Sequence, residues 1–303
     1  MLRKFIVLIA CVLMLSPAIT FGQEGQLSPE GRDVMHAMED SLVLTADSMY
    51  HAFIPDERQE YSQRFIKQLV KALKTPFSYT YSFDKLKDVI NIIGPDDNSF
   101  RILNWNISTT PVTRRYYGAI QMPGEQLKLY PLVDYTNELG RTVADSALAN
   151  GKWFGALYYK ILTHDAGGQK VYTLFGLNAA SAISNKKVMD PLTFTEHGPV
   201  FGAQIFNVTS ENVPGQKVYR FILEYKKEVQ VSMNWDDELK CVFFDKLVSQ
   251  VNDPNRKYTY VPSGQYDGFK WEEEQWKYIK DLIPIQELGD GNAPSGGKEF
   301  ISK

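Results

Sequence analysis

Much of the stretch from Phe154 to Tyr172 occurs twice, in the same order and at one fixed offset, and this repeat is the strongest constraint on how the chain can fold. Phe154-Gly155-Ala156 returns as Phe201-Gly202-Ala203, and Gly168-Gln169-Lys170-Val171-Tyr172 returns as Gly215-Gln216-Lys217-Val218-Tyr219, both 47 residues later. Two matches in one gapless register read as an internal duplication. A fainter third copy, Tyr117-Gly118-Ala119 followed by Gly124 to Tyr130, keeps the order with a shorter connection. The unit makes physical sense as a hairpin. Gly118, Gly155 and Gly202 remove a side chain where a ring or a second backbone comes close. Gly168 and Gly215 supply the turn before the return strand.

Around this unit, from Asp96 onward, the chain consists of short β-branched and aromatic runs separated by turn residues. Strands are expected at 100–107, 115–121, 127–135, 153–162, 170–177, 200–208, 217–225, 229–235, 239–248 and 257–261. The connections are mostly too short for parallel crossovers, so neighbours should be antiparallel. The expected architecture is mainly β, a curved antiparallel meander or partly closed barrel built from repeated hairpins. The alternative is an incomplete β-propeller-like array, since three copies fall short of the minimum of about four blades. Trp271 to Ile283 reads as a last strand running into a short helix.

The N-terminal third follows a different period. Ser28 can cap a helix with Pro29 at its first position, and Val34, Met38, Leu42 and Met49 fall near one face. A second helix should run from Asp56 to Leu73, where Tyr61, Phe65, Leu69 and Leu73 recur every four residues and Pro76 stops it. A third is expected after Ser82, ending at Gly94-Pro95. Amphipathic helices must cover something apolar, and the β region is the available partner. The organisation is therefore a leader at 1–22, a helical segment at 23–95, a β domain at 96–286 and a disordered tail at 287–303.

The leader carries Arg3 and Lys4, an apolar run from Phe5 to Leu15, and small residues ending at Gly22. That layout is a signal peptide cleaved before Gln23, and the run is shorter than the roughly 20 apolar residues a membrane span needs. Leu8-Ile9-Ala10-Cys11 has the shape of a lipoprotein cleavage box, but cutting there would leave too short an apolar segment. The expected localisation is secreted or periplasmic. Removing the leader takes the formal charge from -3 to -5 and leaves no basic footprint for nucleic acid. No stable membrane insertion is expected after cleavage. Cys241 is then the one remaining cysteine, so no internal disulfide can form.

No catalytic constellation stands out. His36, His51, His164 and His197 lack zinc-ligand spacing, and no phosphate loop or nucleophile elbow is present. No cofactor or metal is expected. Asp96-Asp97-Asn98 and Asp236-Asp237-Glu238 lack the spacing of a calcium loop and read as turn residues. The most suggestive residues are aromatic. Tyr117, Trp153, Tyr158 and Tyr159 crowd adjacent strands, where they would form a flat binding platform if they faced outward; a covering layer would instead make them core. The function expected is a non-catalytic binding or structural module of the cell envelope or exterior, with a glycan or another protein as partner. The alternative is a hydrolase of glycans or peptides using carboxylates gathered from several loops.

Overall fold

Helix α1 (Pro29–His51) starts where Ser28 Oγ accepts the Gly31 N–H at 3.0 Å, with Pro29 at the first position. Helix α2 (Pro55–Leu73) buries Phe65, Leu69 and Leu73 along its stripe. These are the first elements of a computed structural model that describes residues 25–210 and 213–282; the expected leader and tail lie outside the described residues.

The third expected helix is instead a 3-10 turn at Leu86–Asp88 followed by strand β1 (Asn91–Ile93). The cause lies in α1. Buried Glu39 accepts the N–H groups of Lys85 and Leu86, both at 2.9 Å, and the Tyr81 hydroxyl at 2.5 Å. Phe83, fully buried, sits at φ 54°. A left-handed residue there bars a helical start at Phe83, and the bonds to Glu39 hold the next residues in a turn. The inward side chains Leu86 and Ile90 still reach the core, but from a turn.

The chain then forms β2 (Arg101–Ser108), β3 (Arg114–Met122) and β4 (Lys128–Val133), followed by helix α3 (Thr136–Leu139) and β5 (Leu148–Ala149). Next come β6 (Leu157–Ala166), β7 (Gln169–Asn178), β8 (Ser184–Thr195) and β9 (Gly198–Phe201). The last set is β10 (Phe206–Ser210), β11 (Val213–Val218), β12 (Phe221–Lys226), β13 (Met233–Asp236), β14 (Cys241–Ser249), β15 (Tyr260–Glu272) and β16 (Gln275–Ile279). The segment 264–269 is part of β15, and 271–279 forms a hairpin with no helix. Strand accounts for 43% against 25% helix, so the fold is mostly β; the sheets are antiparallel apart from the parallel pair β10 and β16, and among the described residues none closes into a barrel.

Three open sheets result. The first is a meander, β1-β2-β3-β4; the second runs β5-β9-β8-β7-β6 with β12 also on β8; the third runs β11-β10-β16-β15-β14-β13. They stack, and strand alternation explains how. Leu103, Trp105 and Ile107 of β2 face α1 and α2, while Ile102 faces the second sheet with Tyr116 and Ile120 of β3. In β7, Tyr172 and Leu174 face the first sheet, and Val171 and Phe175 face Phe206, Val242 and Phe269 of the third. The second sheet is thus covered on both sides, and residues 171–176 are all buried.

Strand β8, absent from the expectations, is the spine of that middle sheet. It pairs with β7 along one edge and with β12 and then β9 along the other. Its polar start and Pro191 conceal it in the sequence. Pro191 is tolerated because of where its absent N–H would point. Its carbonyl accepts Gly202 N at 2.6 Å, and a strand residue's N–H and C=O point the same way. The gap therefore falls at the seam between β12, which ends opposite Met189, and β9, which begins opposite Leu192.

The two copies of Gly-Gln-Lys-Val-Tyr do not occupy equivalent positions. Gly167 and Gly168, both at positive φ, form the two-residue loop of the β6–β7 hairpin. In the other hairpin Ser210 pairs with Val213, so Gly215 lies inside β11 and not in the turn.

Between the second and third sheets, His164 of β6 stacks on Trp271 with centroids 4.2 Å apart and meets the edge of Trp276 at 4.9 Å. Its Nε2 is buried with no hydrogen-bond partner among the described residues. Burial lowers its pKa to about 4, and Asp165 offsets only part of this. The unfolded chain binds this proton near pH 6.5. Between pH 6.5 and 4 the unfolded state holds the extra proton, so stability should be full above 6.5 and fall by up to about 2–3 kcal/mol as pH drops to 4. Melting curves at pH 7.5 and 4.5 should show that loss in the parent and much less of it in His164→Phe. Equal losses in both would mean the imidazole is not the titrating group.

Candidate functional site

The four aromatic residues expected to form a platform lie in different layers. Trp153 and Tyr158 are core residues between the first and second sheets, where Trp153 Nε1 donates to the Tyr158 hydroxyl at 2.8 Å. Tyr117 lies on the opposite face of the first sheet under the helices, stacked on Trp105 at 5.8 Å and donating to Gln59 Oε1 at 3.0 Å. Tyr159 is 37% exposed, with its hydroxyl bound to Met233 O at 2.7 Å and Lys187 Nζ 4.4 Å over its ring. There is no common outward face. Alternation sends the two members of each aromatic pair to opposite sides, and other layers cover all of these rings except Tyr159, which is partly exposed.

Tyr158 belongs to a buried polar chain that no local sequence pattern announces. Its hydroxyl donates to Asp190 Oδ2 at 3.3 Å, and Arg220 Nε donates to Asp190 Oδ1 at 3.0 Å. Both ion-pair partners are fully buried. The remaining Arg220 N–H groups donate to the carbonyls of Val143, Ser146 and Phe201. Burial pushes the Asp190 carboxyl upward, and Arg220 and Tyr158 pull it back. With each polar atom matched inside the protein and both charged side chains fully buried, this buried chain of bonds serves the fold, although Val143 and Phe221 beside it line the cleft between the middle and third sheets.

Glycine positions behave as packing sites. A Cβ on Gly155 would lie 2.7 Å from Asp134 Oδ1 and from Tyr116 Cβ, and one on Gly118 would lie 3.0 Å from Asn104 Cβ. Gly202 has φ +94°, and its Cβ would meet Arg220 Nη2 at 2.8 Å.

The Asp-rich turns act as turns. Asp236 Oδ1 accepts the N–H groups of Glu238 and Leu239. Asp97 takes Lys170 Nζ at 2.6 Å and Ser99 N at 3.1 Å. Burial alone would raise Asp97, yet these partners and Tyr172 hold it at about 2. Among the described residues no group of three or more His, Cys, Asp or Glu could hold a metal ion. Cys241 is buried, and burial raises its thiol pKa.

The place with room for a ligand is a cleft of about 940 Å³ between the middle and third sheets. One wall is β12 with Lys186 of β8, the other is β14 to β16 with Lys246, Asp267 and Tyr278, and the rim is the 254–260 segment with Lys257, Tyr258 and Tyr260. The segment around α3 closes one end. There the cleft shares Thr136, Asn137 and Ala180 with a side cavity of about 270 Å³ that reaches Arg114 and Arg115. The sequence hid this site because its walls come from segments far apart along the chain.

The cleft carboxylates are already engaged. Glu224 accepts Ser184 Oγ at 2.6 Å and has Lys186 Nζ at 4.0 Å. Asp245 accepts Ser232 N at 2.6 Å. Asp267 accepts the Tyr278 hydroxyl and, at 2.9 Å, Asp281 N. Burial and then Asp267 push Tyr278 well above its ordinary pKa. Lys246 pairs with Asp281 at 2.5 Å. The register sets Asp245 opposite Tyr266 and Asp267 opposite Phe244, so the two aspartates project from opposite faces of the sheet. The cleft has room for a ligand, and the sheet register keeps Asp245 and Asp267 from converging on one point.

Among the described residues, no helix is long and apolar enough to cross a membrane. Compared with known proteins, the chain matches no family model, no curated protein and no solved structure.

Proposed function

We propose that the protein is an exported binding module without catalysis of its own, holding a glycan or a segment of another protein in the cleft between the middle and third sheets. The observation that carries this reading is the combination of an open cleft of about 940 Å³, within the range of ligand sites, with carboxylates that are spent on internal donors and divided between two faces. A general acid and base must both reach the reacting bond, and Asp245 and Asp267, each taken up by an internal donor, leave the sheet on opposite faces. Export is supported by the leader pattern before Gln23.

The test uses the secreted protein beginning at Gln23, screened against glycan and peptide panels for both binding and turnover. Ligands should raise the melting temperature without being consumed. Asn137→Trp, an exposed position where cleft and side cavity meet, should abolish the shift while leaving the unliganded melting temperature unchanged. Turnover that disappears in Asp267→Asn or Asp245→Asn with the fold intact would establish a hydrolase instead.

A further inference from the structure

We infer that the ligand of this cleft is an uncharged oligosaccharide, an inference that rests on the cleft being the binding site. The first argument is charge. The cleft is lined by Lys186, Lys246 and Lys257 against Glu224, Asp245 and Asp267, and the side cavity by Arg114 and Arg115 against Asp134 and Glu138. The formal charges cancel in each compartment. With no net charge in either compartment an anionic or cationic ligand gains no net attraction, and Lys186 and Lys246 are already held by Glu224 and Asp281. An uncharged ligand loses nothing by this arrangement.

The second argument is what the lining offers. Tyr258, 39% exposed, and Tyr260 bring ring surface to the rim, and Lys257 Nζ sits 4.4 Å over the Tyr260 ring, fixing it. A tyrosine ring gives an apolar face for the C–H side of a sugar and a polar tip for its hydroxyls. Asn137 and Asn255 line the same space, and their side chains have no partner among the described residues. A free amide presents donors and an acceptor together, and vicinal sugar hydroxyls require both. The 940 Å³ cleft, with the 270 Å³ side cavity adjoining it across Thr136, Asn137 and Ala180, has room for several sugar units rather than one.

Titration calorimetry with cello-, malto-, manno- and chito-oligosaccharides, oligogalacturonate and uncharged peptides tests this. At least one neutral oligosaccharide should bind, with an affinity that changes less than twofold between 50 and 500 mM salt. Tyr258→Ala and Asn255→Ala should each weaken it tenfold or more without moving the melting temperature. Preference for oligogalacturonate would overturn the uncharged character of the ligand, and binding of peptides alone its being a saccharide; if Asn137→Trp blocked that binding, the cleft would remain the ligand site. If no neutral oligosaccharide binds, the inference fails, and if Asn137→Trp blocks no ligand of any class, the binding-module reading fails with it.

Discussion

Asp190→Ala should destabilise the protein by about 3–5 kcal/mol, a large fraction of the roughly 5–15 kcal/mol that holds a domain folded. The size follows from what would be left behind. Arg220 is fully buried, and Asp190 is its one carboxylate partner. Removing the acid strands a guanidinium cation far from water, and a buried charge without a partner costs more than the pair ever contributed. Arg220→Met should be comparably damaging for a different reason. It orphans the carbonyls of Val143, Ser146 and Phe201 and leaves Asp190 with only Tyr158. The double variant should lose clearly less than the sum, because the two side chains act as one unit. Urea unfolding midpoints measure all three. A loss below about 1 kcal/mol for Asp190→Ala, far under the range for a broken buried pair, would show that water reaches the site in the folded state.

What the sequence reveals and conceals about this molecule follows from the range of the forces involved. Helices α1 and α2 are legible because their signals are local: Ser28 caps α1, where Leu42 and Met49 are buried as expected but Val34 is exposed, and Phe65, Leu69 and Leu73 form one stripe on α2. The β6–β7 hairpin is legible from Gly167-Gly168. The segment after Ser82 misleads because its inward residues have helical spacing while Glu39, more than 40 residues earlier, holds the backbone in a turn. Strand β8 is hidden by Pro191, which is permissible only where two partner strands meet. The aromatic pairs declare two faces, and only the stacking of layers decides that Tyr117, Trp153 and Tyr158 are covered while Tyr159 stays partly exposed. Asp190 and Arg220, 30 residues apart, have the look of surface charges until the sheets close over them. The cleft is harder still, since Lys186, Glu224, Lys246 and Tyr258 meet only through the third dimension.

Gly155→Val and Gly202→Val should both lower the unfolding midpoint, with the second at least as costly as the first, although the matching sequence around them suggests one shared role. At Gly155 the backbone tolerates a side chain but the space does not. A Cβ would sit 2.7 Å from Asp134 Oδ1 and Tyr116 Cβ, and Asp134 is held by Tyr116 N and Thr136, so neither neighbour can withdraw freely. Overpacking of this kind costs about 1–3 kcal/mol. At Gly202 two costs add. A φ of +94° strains any L side chain, by about 1–3 kcal/mol, and the new Cβ would lie 2.8 Å from Arg220 Nη2. The displaced guanidinium would then lose its bond to Phe201 O, which links this glycine to the buried ion pair. Gly151→Ala is the control, since a Cβ there meets nothing within 4 Å. A ligand that needed bare backbone at Gly155 or Gly202 would predict lost binding with stability intact, yet the space at both is filled by the protein's own atoms. If both valine variants unfold at the parent's urea midpoint, these glycines are not packing positions and the account of Arg220 as a rigid, fully engaged centre fails with them.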